Sequence, residues 1–116
     1  MSIRIDHVGD VAVVVTEGIF TGGPETDELE STLRGLIEEP GRRKILLNLS
    51  GTRLMLSLAI GVLMAAHVDA TSRGIRFYVC GISPGLRKVL ETIKAQPKVL
   101  NHFDDCSEAL ETLQRA

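Results

Sequence analysis

The chain has 116 residues, 13 Lys+Arg against 15 Asp+Glu, a formal net charge of −2, and 44% hydrophobic residues with only 3% aromatic and no tryptophan. This is the size of one domain, spanning residues 1–116, with an aliphatic core, and its weak acidity and few aromatics exclude the cationic field and stacking platform of a nucleic-acid binder. No apolar run approaches the roughly eighteen residues of a membrane span, and Met1 to Asp6 has no signal-peptide apolar core, so a cytoplasmic protein without membrane insertion is expected.

Ile3, Ile5 and Val8, then Val11 to Val15, are β-type runs separated by Gly9-Asp10, which predicts a hairpin. A helix is expected from about Pro24 to Glu38: Pro suits its first position, Glu25, Asp27 and Glu28 complement its positive end, and Leu29, Leu33, Leu36 and Ile37 share one face. Pro40-Gly41 stops it. The nearly continuous apolar run Ile45 to Leu49 predicts a strand covered on both faces. After Ser50 to Arg53, the apolar stretch from Leu54 to Arg73 has helical length and few β-branched residues, with Gly74 as its C-terminal cap.

Ile75 to Cys80 alternates as another strand. Ser83-Pro84 opens a helix with Leu86, Val89, Leu90 and Ile93 on one face, ended by Pro97. Val99-Leu100 reads as a short edge strand, and Asp105 with Glu108 as a capping-box variant before Ala109, Leu110 and Leu113. The order β-β-α-β-α-β-α-(β)-α predicts an α/β domain. Its mixed sheet has four to five strands, an antiparallel hairpin followed by parallel strands, and carries about four helices.

Chemistry-bearing motifs are sparse. No phosphate-binding loop, dinucleotide fingerprint, nucleophile elbow or zinc-protease helix occurs, so neither an enzyme nor a cofactor is expected. His7, His67 and His102 stand far apart in sequence and suggest no metal site. Asp104-Asp105 and Glu38-Glu39 lie at helix ends, where the dipole explains them, and Ser83-Pro84 explains the loop Gly81 to Gly85 as a helix start. Cys80 and Cys106 match no zinc or CxxC spacing and read as free thiols, small buried hydrophobes of a reducing compartment.

The junction Gly51 to Gly61 is the exception. It leaves the carboxyl edge of the sheet, where open α/β sheets place functional groups. Read locally, Ser57 is an N-cap whose hydroxyl is worth about 1 kcal/mol. Leu54, Met55, Leu56 and Leu58 are more apolar surface than one loop and first helical turn can hide against a sheet, so the loop either tucks inward or is a contact surface.

Nearly the whole chain resembles a STAS domain, the fold of bacterial anti-sigma factor antagonists. The resemblance runs through Glu17 to Phe20 with Gly22, Lys44 to Gly51, Ser57 to Leu63, Gly74 to Val79, Ser83-Pro84, Val89-Leu90 and Glu108 to Leu110. It implies that Ser57 is the candidate phosphoacceptor of an anti-sigma kinase, and that Gly22, Leu54, Met55, Leu56, Leu58 and Gly61 belong to the partner-binding surface. Leu56 replaces the family's Asp, Leu58 its second small polar residue and Ala59 its first glycine. The implied partner is an anti-sigma factor or serine-kinase-like protein, with a homodimer as a further candidate. The alternatives are a sensing module whose Leu54, Met55, Leu56 and Leu58 line a small-molecule or lipid pocket, and a scaffold that is never phosphorylated.

Overall fold

The computed structural model describes residues 2–92 and 102–116. The chain runs β1 (Ser2–Val8), β2 (Val11–Phe20), α1 (Pro24–Glu38), β3 (Lys44–Met55), α2 (Ser57–Ser72), β4 (Arg76–Cys80), α3 (Pro84–Thr92), β5 (His102–Phe103) and α4 (Cys106–Arg115). The five strands form one sheet in sequence order, with β1 antiparallel to β2 and every later pair parallel. The expected helix Pro24 to Glu38 and the hairpin around Gly9-Asp10 are both present. Ile93, Pro97 and the expected edge strand Val99-Leu100 lie outside the described residues.

Two layers of side chains sandwich the sheet. On one face α1, α2 and α3 bury Leu29, Leu33, Ile60, Leu63 and Leu86 against Val14, Ile45, Leu47, Phe77 and Val79. On the other, Ala109 and Leu113 of α4 cover Val11, Val13, Leu46 and Cys80. Because β2, β3 and β4 lie between the layers, their residues are apolar on both faces, which accounts for the unbroken run Ile45 to Leu49. At the start of β3, Lys44 is buried, pairs with Asp10 at 2.9 Å and reaches the Gln114 carbonyl at 3.5 Å. This contact joins the β1–β2 turn, the start of β3 and the last turn of α4.

Helix ends follow the local signals. Ser83 Oγ accepts the Leu86 N–H at 3.1 Å, and Asp105 Oδ1 accepts the Ser107 N–H at 2.8 Å. The end of α2 is closed by Gly74 N–H to the Thr71 carbonyl and Ile75 N–H to the Ala70 carbonyl, the paired bonds of a Schellman motif.

Two expectations are corrected. The segment Ser50 to Met55 is strand, not loop or helix start: β3 continues to Met55, with one extra residue relative to β2 at each of two register shifts. Cooperative pairing along the whole of β2 overrides the helical look of Leu54 and Met55. Between the shifts, the buried Thr52 hydroxyl donates to Thr16 Oγ1, whose own proton goes to the Asn48 carbonyl at 3.4 Å. These two bonds satisfy polar groups that the broken ladder leaves behind.

The second correction concerns the cysteines. Cys80 and Cys106 are joined in a disulfide, with Cα atoms 5.0 Å apart, so neither is a free thiol and they are no argument for a reducing compartment. Their separation of 26 residues hides the pairing in the sequence. It arises because β4 ends where α4 begins to cross the sheet. Among the described residues no helix is long and apolar enough to cross a membrane.

A crosslink closing a loop of this length removes about 3.5 kcal/mol of denatured-state entropy in the chain-entropy treatment. Adding a dithiol reductant, or replacing Cys106→Ser, is expected to lower stability in urea unfolding by roughly that amount. A midpoint indifferent to both would show that the crosslink contributes nothing.

Candidate functional site

The paired ends of β2 and β3 build the site. Phe20 lies opposite Met55, both fully buried, and the Phe20 carbonyl accepts the Leu56 N–H at 2.8 Å. That bond fixes Leu56 as the N-cap of α2, in an extended conformation with no side-chain capping bond. Ser57 is therefore the first helical residue, one position later than its expected role as N-cap. It is exposed, at a helix start that no side chain caps. No acidic residue occupies the first turn of α2, so its positive end is left open.

The four apolar residues of the junction divide sharply. Met55 is in the core and contributes no external surface. Leu54 is half-buried, whereas Leu56 and Leu58 are 46% and 68% exposed. Ile19, the register partner of Leu54, is 40% exposed beside it. Gly22 lies against Leu58: a Cβ there would come within 2.8 Å of Leu58 Cδ1 and displace the leucine. Of the residues expected at the surface, Gly22, Leu54, Leu56, Leu58 and Ser57 are brought together, and Met55 is not.

Gly61 is exposed one turn beyond Ser57, and a Cβ would meet nothing within 4 Å there. It belongs to a longer feature. The outward positions Leu58, Gly61, Ala65 and Val68 follow the i, i+3, i+7, i+10 spacing of one helix face, and Val68 is 62% exposed. From Ser57 to Val68 the helix contains no Asp, Glu, Lys or Arg. A helix apolar on all sides is normally covered on all sides, yet this face meets solvent.

Ile19, Ala65 and Val68 carry no sign of such a role in their local sequence. The face of Ile19 is set by two register shifts, and the stripe on α2 is masked because the inward face is equally apolar. The signal present in the sequence is the missing charge over three helical turns.

The β2–α1 turn behind Leu58 is held by Glu25. Its Oε1 accepts the Thr21 N–H at 3.1 Å and the Thr21 hydroxyl at 2.5 Å. These bonds, the hydroxyl's foremost, hold the Glu25 carboxyl down to about 2 from the ordinary 4.5. His67, on the inward side of α2, packs edge-on to Phe77, and desolvation lowers its pKa. Among the described residues no group of three or more His, Cys, Asp or Glu side chains is arranged to hold a metal ion.

Three shallow cavities involve other residues than Leu54, Leu56 and Leu58. The groove between α1 and α2, about 210 Å³, is lined by Leu33, Ile37, Val62, Ala65 and Ala66 with Glu30, Arg34 and Asp69. The others lie beside Phe20 and Pro24 and beside Ile75 and Phe77. None of these three cavities is the pocket that the alternative of a sensing module would form from Leu54, Met55, Leu56 and Leu58.

A family model described as the STAS domain matches residues 3–109. Among solved structures, a candidate anti-sigma factor antagonist of Thermotoga maritima superposes with a TM-score of 0.85 at 20% identity, covering 97% of this chain and 95% of that one. The anti-sigma factor antagonist SpoIIAA in its unphosphorylated form gives 0.76 at 16% identity, with 99% of each chain covered. A sulfate transporter family protein of Wolinella succinogenes gives 0.73 at 18%, covering 93% and 88%. At these identities the likeness establishes the fold.

The lowered Glu25 pKa has a definite sign. A carboxyl depressed in the folded state adds stability that is fully present above the unfolded value and is lost as pH falls through the folded one. The Thr21–Glu25 turn should therefore stay intact at pH 4.5 and loosen as pH approaches 2. A carboxyl-detected NMR titration checks this: a Glu25 midpoint near 4.5 would mean that the turn is not held by the ionised carboxylate.

Proposed function

The chain belongs to the STAS domain family, and from that premise we propose that it is an anti-sigma factor antagonist or related partner-switching protein. It docks on a protein of the anti-sigma, serine-kinase-like type through Ile19, Leu54, Leu56 and Leu58 and the outward face of α2. The observation that carries the reading is the uncharged exposed stripe from Leu58 to Val68, continuous with the leucine-rich end of β3. Full burial of a Leu or Val side chain is worth about 1.5–3 kcal/mol, so a few such contacts suffice for a reversible complex.

Ser57 is the proposed control point. It is exposed and lies at the uncapped, open positive end of α2. A phosphate there would bring about −1.5 to −2 charges, tolerated by the free N–H groups of the helix start. The same charge on a surface flanked by Leu56 and Leu58 must be desolvated when a partner covers it, and this favours release. The unphosphorylated form binds and the phosphorylated form leaves. The small-molecule alternative has less support, because Met55 faces the core and Leu56 and Leu58 line none of the cavities described.

Titration calorimetry against a purified anti-sigma kinase of the same organism tests the surface. Leu58→Asp and Ser57→Asp are each expected to weaken binding at least tenfold, about 1.4 kcal/mol, while Ser57→Ala binds like the parent. Unchanged affinity for both acidic variants would place the contact elsewhere.

Incubation with that kinase and ATP, followed by intact-mass measurement, tests the switch separately. One phosphate is expected on the parent and none on Ser57→Ala. A parent that binds the kinase yet gains no phosphate would make the protein an adaptor without this control.

A further inference from the structure

β1 is an edge strand: it pairs with β2 on one side and with no described strand on the other. The hairpin loop is only Gly9-Asp10, so Val8 and Val11 close it as a hydrogen-bonded pair. Alternation along an antiparallel ladder then directs the N–H and C=O groups of Ser2, Arg4, Asp6 and Val8 toward β2. Those of Ile3, Ile5 and His7 point out of the sheet. Ile5, on the α1 side, is 40% exposed at the middle of this open edge.

Exposed edges are usually blunted by charged side chains, proline or bulges. β1 has no proline and no bulge. Its two charged residues, Arg4 and Asp6, are of opposite sign, on one face and equidistant from Ile5, and they form a solvent-exposed ion pair at 3.2 Å.

We propose that β1 is a homodimerisation edge, pairing antiparallel with β1 of a second copy about a two-fold axis through Ile5. In that register Arg4 faces the second copy's Asp6 and Asp6 its Arg4, Ile5 meets its own counterpart, and Ile3 faces His7. The outward N–H and C=O groups of Ile3, Ile5 and His7 meet in hydrogen-bonded pairs, so the ladder and the charges select the same alignment.

Neighbouring registers are disfavoured. Opposed residues across an antiparallel pair share a face, so a two-fold register can slip only by moving the axis one residue. An axis at Arg4 opposes two guanidinium groups, and one at Asp6 opposes two carboxylates; like charges directly opposite destabilise a strand pair. The charges therefore specify both the partner and its alignment, as the symmetry of an isologous interface requires. The dimer's sheets are continuous, and the two Leu56–Leu58 surfaces lie at opposite ends, so one dimer carries two docking faces pointing apart.

Sedimentation equilibrium over a concentration series tests this with the full chain. The parent is expected to pass from monomer to dimer as concentration rises. Arg4→Asp and Asp6→Arg should each weaken dimerisation at least tenfold, and the double swap Arg4→Asp/Asp6→Arg should recover it to within a few-fold. Mixing the two single variants should give a heterodimer, since an all-acidic face then meets an all-basic one.

Amide exchange on the parent, which needs no variant to fold, should show protection at Ile3, Ile5 and His7 rising with concentration. A parent that stays monomeric at all concentrations overturns the proposal. So does a dimer that survives both single reversals, or one that leaves those three amides unprotected.

Discussion

The parallel pairing of β2 with β3, from Val11 opposite Lys44 to Phe20 opposite Met55, positions both core layers and the candidate site. These are the two longest strands, they carry core side chains on both faces, and the helices α1 and α2 leave from their ends. The ladder is broken twice, and each break gives β3 one residue more than β2. Those extra residues re-aim the side chains that follow: Met55 turns into the core beside Phe20, and Leu54 and Ile19 are left at the surface. The final bond, Leu56 N–H to the Phe20 carbonyl, starts α2 with a leucine as its N-cap.

A helix start of this kind departs from the usual capping chemistry. A serine, threonine, asparagine or aspartate at N-cap would satisfy a first-turn N–H at a gain of about 1 kcal/mol. Here the cap position is apolar and the serine is displaced outward by one residue. Helix stability must come instead from the buried face of Ala59, Ile60, Leu63, Ala66 and Ala70, which is where tertiary packing ordinarily supplies it. Apolar groups and an exposed hydroxyl are thereby left at the surface, and local stability and interaction chemistry compete for the same three positions.

Two other features organise the opposite parts of the molecule. The Cys80–Cys106 disulfide ties the end of β4 to the start of α4, while buried Lys44 ties the β1–β2 turn and the α4 terminus to the start of β3. The small layer of Ala109 and Leu113 over the sheet is thus anchored at both ends of α4. Both ties lie away from the Leu56–Leu58 surface. The open edge of β1 is likewise separate from it, so self-association and partner docking need not compete for area.

The element order, the hairpin, the limits of α1 and the caps at Ser83, Gly74 and Asp105 are legible in the sequence. Each of these rests on short-range physics: backbone angles, capping groups and the 3.6 or 2.0 period of apolar residues. The sequence also marks the stretch from Leu54 to Leu58 as holding too much apolar surface, and Ser57 as its polar member. Which of those side chains lie inside depends on the folded sheet, because register shifts and a strand's full length are set by the partner strand rather than by neighbours in sequence. The same holds for Ile19, brought beside Leu54 by pairing, and for the outward stripe of α2, indistinguishable from its core face until the sheet is in place. Cys80 and Cys106 are the plainest case: nothing local relates them, and only the crossing of α4 over β4 brings them within bonding distance.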